Sequence, residues 1–257
     1  MNQESARSLE HRNKQARTTI AMNAAVQSQE TLATSAPWPL WLRIGFWLCI
    51  IIAVAAVLRR LIALASPVQT GPPDLVSLDA YFASRSSLTL VHIIPALAFV
   101  ILAPLIYLQR FARVSWPERA LFPLGGIVGL TAYAMSTHAV GGWVERSAVL
   151  LFNTLFLYAF GRAFWYGRLG QRVLELKWLT RAIGILLGIA TTRPIMGVFF
   201  ATSGLTHLQP SQFFGIAFWI GFTINTVLVE WWVRSPSGQS KLRTITEHKY
   251  PHLAART

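Results

Sequence analysis

Residues 88–108 read LTLVHIIPALAFVILAPLIYL, with no charged side chain from end to end. At 1.5 Å of rise per residue, about 20 apolar residues match the roughly 30 Å hydrocarbon core of a bilayer. A helix satisfies its own backbone hydrogen bonds, which lipid demands. This stretch therefore reads as a membrane-crossing helix. The same criterion, applied along the chain, gives six expected spans: Leu40–Leu58, Leu88–Leu108, Leu121–Trp143, Ser147–Tyr166, Trp178–Ser203 and Pro210–Trp232. The expected fold class is all-α, a polytopic bundle of six transmembrane helices dissolved in a lipid bilayer.

Composition agrees with that solvent. Of 257 residues, 53% are hydrophobic and 13% charged, against about 25% charged in an average soluble domain. Such hydrophobicity excludes a disordered chain. Cys49 is the one cysteine, which excludes an intramolecular disulfide and a Cys-rich metal or iron–sulfur site. The net charge of +13 raises nucleic acid as a partner. The basic residues, however, gather between the apolar runs, so the charge reads as topological and nucleic acid is set aside.

Their distribution gives a direction. The loop 109–120 carries Arg110, Arg113 and Arg119, and the next loop on that side carries Arg168, Arg172 and Lys177, with Arg181 one turn on. Beyond the last span come Arg234, Lys241 and Arg243. The opposite side holds Arg59, Arg60, Arg85 and Arg146. The excess predicts both termini on the cytoplasmic side. Trp38, Trp41, Trp116, Trp143, Trp165, Trp178, Trp231 and Trp232 fall near span ends, as an aromatic belt requires. Residues 1–37 are expected to be a polar, disordered cytoplasmic tail, 38–234 the membrane domain, and 235–257 a second polar, mobile cytoplasmic tail. Segment 65–87, with Pro67, Gly71, Pro72 and Pro73, reads as a loop on the far side. Gly125–Gly129 and Gly184–Gly188 are small-xxx-small pairs that let helix backbones approach.

Polar residues inside the spans are the functional candidates. Arg193 lies near the middle of the fifth span, where a charge costs on the order of 3 kcal/mol on insertion scales. It reads either as a partner for an anionic or carbonyl-bearing ligand, such as a haem propionate or a quinone, or as a donor to carbonyls freed by Pro194. His92 and His138 are expected at similar depth on neighbouring helices. There they would be axial ligands of a b-type haem or two unrelated interhelical hydrogen-bonding groups. Asn153 shares that side of the midplane. Asn225 and Glu230 form a second polar group, with Arg181 or Arg162 as the expected partner of Glu230. No P-loop, GxGxxG, HExxH or GxSxG pattern is present. The reading leans away from an enzyme and towards a non-catalytic or accessory membrane component. A cytochrome b-type redox protein is the alternative, and a small-molecule transporter a weaker one.

Local patterns resemble a known family. Tyr81-Phe82 precedes Leu90-Val91-His92-Ile93-Ile94-Pro95. Lys177-Trp178-Leu179-Thr180-Arg181, Thr192-Arg193-Pro194, and Trp219 with Asn225 and Glu230 follow in order. Over roughly residues 80–232 this resembles the bacterial multi-pass membrane proteins catalogued as domain of unknown function 2306. The resemblance implies a bacterial plasma membrane and a helical bundle, and it names no activity. The family pattern has a His-Arg pair where this chain has Glu118-Arg119. It also has a histidine three residues before the tryptophan, where this chain has Glu175. The histidines left to hold a haem are then His92 and His138.

Overall fold

A computed structural model describes residues 39–66, 73–108 and 116–250. The expected tail 1–37, Arg110 and Arg113 of the first basic loop, and residues 251–257 lie outside the described residues. Among those described, the chain is helical and has no strand. The helices are α1 Leu40–Ala65, α2 Pro73–Ala83, α3 Ser86–Leu102 with a 3₁₀ turn Ala103–Ile106, α4 Trp116–Ser136, α5 Gly142–Arg168, α6 Arg172–Leu186, α7 Gly188–Thr206, α8 Pro210–Arg234 and α9 Pro236–Lys249.

Five helical stretches are long and apolar enough to cross a membrane: Leu40–Ala65, Ser86–Ile106, Gly142–Arg168, Arg172–Thr206 and Pro210–Arg234. The third expected span, Leu121–Trp143, is not among them. Its helix is α4, which starts at Trp116 and stops at Ser136, while Gly142 and Trp143 begin α5. The reason is local. Pro117-Glu118-Arg119 supply a helix start within the expected loop, and Gly141 followed by Gly142 at φ 59 turns the chain before Trp143. What remains of α4 is a short apolar run interrupted by glycines.

Two further segments differ from expectation. The 65–87 loop contains α2, because Pro73 begins a helix as readily as it ends one. The segment after Ser235, expected to be mobile, is α9. Its start is capped by the Ser235 side chain, which accepts the Gly238 N–H at 3.1 Å. Pro236 occupies the first turn. α9 packs against α6 and α8 and buries Leu242 and Ile245.

The core is built from neighbours in sequence. α4 runs antiparallel to α5, with Gly125 against Phe160 and Gly129 against Leu157. α6 and α7 continue one line through Leu187, and α8 runs antiparallel to both. Gly184 lies against Val229, and Gly188 against Phe222. Phe99, Phe156 and Phe160 fill the centre, with ring centroids 5.4–6.1 Å apart. The helix starting at Leu40 is peripheral: it packs on α3 and α7 and leaves Ile44, Ile51 and Ile62 exposed. Trp41, Trp116, Trp143, Trp165 and Trp231 are exposed near helix ends, whereas Trp232 is buried. α8 continues directly into α9, and Gly238 sits against the Trp232 carbonyl.

Candidate functional site

Polar side chains collect at three levels: the end of the bundle that carries α2, the middle, and the end that carries α9.

In the middle, each candidate reaches a neighbouring helix. Asn153 Nδ2 of α5 donates to the Gly129 carbonyl of α4 at 2.9 Å. Asn225 Nδ2 of α8 donates to Thr191 Oγ1 of α7 at 2.7 Å. Thr191 also meets Cys49 Sγ of α1 at 3.7 Å, so one hydroxyl ties three helices. His92 Nδ1 lies 2.9 Å from Thr131 Oγ1 of α4. Thr131 Oγ1 in turn lies 2.6 Å from the Ile127 carbonyl and 3.1 Å from that of Val128.

His138 stands elsewhere. It lies in the turn beyond α4, exposed, with Nδ1 2.6 Å from Thr137 Oγ1. Its carbonyl accepts the Tyr81 hydroxyl at 2.7 Å. The similar depth expected for His92 and His138 is not what the helices give. His92 is level with Thr131, and from there to His138 the chain runs on to the end of α4 and into the turn, about 10 Å of rise. No hydrogen bond joins the two imidazoles among the described residues. The same residues contain no group of three or more His, Cys, Asp or Glu placed to hold a metal ion.

At the α2 end, Asp79 is shared by two arginines of α1. Arg59 Nη2 lies at 2.9 Å and Arg60 Nη1 at 2.7 Å. Arg60 also covers the Phe82 ring, 4.0 Å from its centroid. Glu145, in the first turn of α5, is buried and accepts the Gly141 N–H at 2.6 Å. Arg193 is exposed. Neither Asn225 nor Thr192 turns to it: Asn225 is spent on Thr191, and Thr192 on the Ile189 carbonyl. Arg193 feels the charges of Arg60, Arg59 and Glu145, yet no ion pair reaches it among the described residues.

The α9 end holds two ionic networks. Glu230 binds Arg181 Nε at 2.7 Å and also Arg234 one turn on. Arg162 instead reaches Tyr166, and shares the Trp178 ring with Arg181. The second network joins residues far apart in sequence. Lys249 Nζ lies 2.6 Å from Glu118 Oε1, with both side chains at most 10% exposed. Tyr250 donates to Glu118 Oε2 at 3.1 Å. Arg172 pairs with Glu175 at 2.6 Å and covers the Tyr250 ring. Glu118 and Glu175 are electrostatic neighbours here. Burial first, then the Glu118 carboxylate, pushes the Tyr250 phenol above its ordinary range.

The class these elements define is an all-helical, multi-pass membrane protein whose polar side chains mostly join one helix to the next. Comparison with protein families, with curated proteins and with solved structures finds no match.

Proposed function

We propose that the chain is a six-crossing integral protein of a bacterial plasma membrane, with both termini cytoplasmic, serving as a non-catalytic or accessory component beside other membrane proteins. Kinship with the domain of unknown function 2306 family belongs to the same proposal and rests on the order of its motifs. One observation carries the reading: the polar groups within the helices are used for packing. Asn153 holds α4, Asn225 holds α7, His92 holds Thr131, and Arg181 holds Glu230. A polar side chain between membrane helices is sufficiently explained when it has such a partner.

The rival is haem b between α3 and α4 with a quinone or propionate at Arg193. Its test is the absorption spectrum of detergent-purified protein from haem-replete cells, oxidised and dithionite-reduced. The accessory reading expects no Soret band, and identical spectra for H92A and H138A. Stoichiometric haem lost on either substitution overturns it. A transporter rests on Arg193 and Pro194 alone, without a second site or a gate among the described residues.

A further inference from the structure

Arg193 is a charged group for which the packing account names no ion pair among the described residues. It belongs to a span-length helix, Arg172–Thr206, and is exposed. The charges acting on it come from two other helices, Arg59 and Arg60 on α1 and Glu145 on α5.

The local charge is unbalanced. Asp79 is already shared by Arg59 and Arg60. Glu145 Oε2 is held by the Gly141 amide. Arg59, Arg60 and Arg193 therefore face Asp79 and Glu145 with one cation in excess among the described side chains. A guanidinium offers a planar fork that fits carboxylate or phosphate oxygens two at a time. One turn along α7 from Arg193 the surface is open and apolar. Gly197 has no atom within 4 Å of where a Cβ would stand, and Val198 is 64% exposed. A polar head at Arg193 thus adjoins a bare apolar strip.

We propose that Arg193, with Arg60 behind it, binds the oxyanion of a carboxylate or phosphate ligand, and that the α7 surface at Gly197 and Val198 receives the apolar body when the ligand is an amphiphile. The site rests on the membrane placement of α7 and not on the accessory role, so a haem spectrum leaves it standing or falling by its own titration.

The test uses the full chain in dodecyl maltoside micelles, which carry no oxyanion. Three probes are titrated separately: dioleoylphosphatidylglycerol, oleate and inorganic phosphate. Binding is followed by native mass spectrometry and by the melting temperature. Saturable binding of at least one probe is expected, weakened tenfold or more by R193Q. Binding of phosphatidylglycerol alone assigns the ligand to the bilayer, of oleate to a free amphiphile, and of inorganic phosphate alone to a soluble anion. R193K keeps the charge and loses the fork. If R193Q fails to fold, a severalfold loss in R193K carries the same conclusion. No saturable probe, or unchanged affinity in whichever variant folds, overturns the proposal.

Discussion

Lys249 illustrates how one residue decides the fate of an element. Its ammonium is buried against Glu118, and a buried pair that loses one member leaves an uncompensated charge costing about 3–5 kcal/mol. E118Q is therefore expected to release α9 from the bundle, read as faster tryptic cleavage after Lys241 and Arg243. Replacing both members together, Glu118→Leu with Lys249→Met, should cost less than E118Q, because no lone charge remains. Tyr250 adds a pH dependence to the same contact. Its phenol is raised in the folded chain, so folding favours the protonated form. That contribution is fully present below the ordinary tyrosine value of about 10 and is lost as pH rises through the raised one. Melting temperatures taken from pH 8 upward should fall more steeply in the wild type than in Y250F, and parallel curves would refute the assignment. Only the Arg172–Glu175 pair, three residues apart on one helix, follows a spacing rule; none connects it to 118 and 249.

The helices themselves were legible where an apolar run has charged ends, as in residues 88–108. They were misread where the signal was composition rather than run length. α9 presents Leu242 and Ile245 in an otherwise polar segment, too few apolar positions to reveal a period, and α2 hides behind a proline read as a loop. Glycine pairs were more informative, because a missing side chain has a measurable consequence at each helix crossing. Gly221 shows such a case between α8 and α7: a Cβ there would lie 2.8 Å from the Thr192 backbone nitrogen, which has no rotamer with which to yield. Gly126 is on the same kind of helix with nothing within 4 Å. G221A should therefore destabilise by about 1–3 kcal/mol, the usual cost of overpacking. G126A should be neutral or slightly stabilising, as alanine is the better helix former. Thermal unfolding in detergent distinguishes them, and equal melting temperatures would mean that α7 and α8 do not approach as closely as described.

At the scale of the whole molecule, the question is parity. Trp41 near the start of α1 and Trp231 near the end of α8 have ring centroids 5.7 Å apart, so those two helices begin and end at the same face of the bundle. An even number of crossings between them satisfies that closure, and an odd number does not. α4 is the helix able to supply the missing pass. It runs beside α5 from Gly125 against Phe160 to Tyr133, whose hydroxyl is 2.7 Å from Thr154 Oγ1, and so follows the bundle axis despite its short apolar run. Its polar start is covered by α9 through Glu118, and its glycine-rich flank lies against α5 rather than lipid, which lowers the hydropathy a crossing helix needs. Basic residues concentrate at the α9 end, where Arg162, Arg168, Arg172 and Arg181 lie, and the proposed orientation has that end in the cytoplasm, as the positive-inside rule expects. Reporter fusions after Arg113 and Arg172 should then register the cytoplasm, and fusions after Gln69 and Gly142 the opposite side. The pair at 113 and 142 is decisive, because among the described residues α4 is the only helix between them. If both report the same compartment, α4 does not cross. Then Trp41 and Trp231 would need to meet from opposite faces of the membrane, which the length of α1 and α8 forbids.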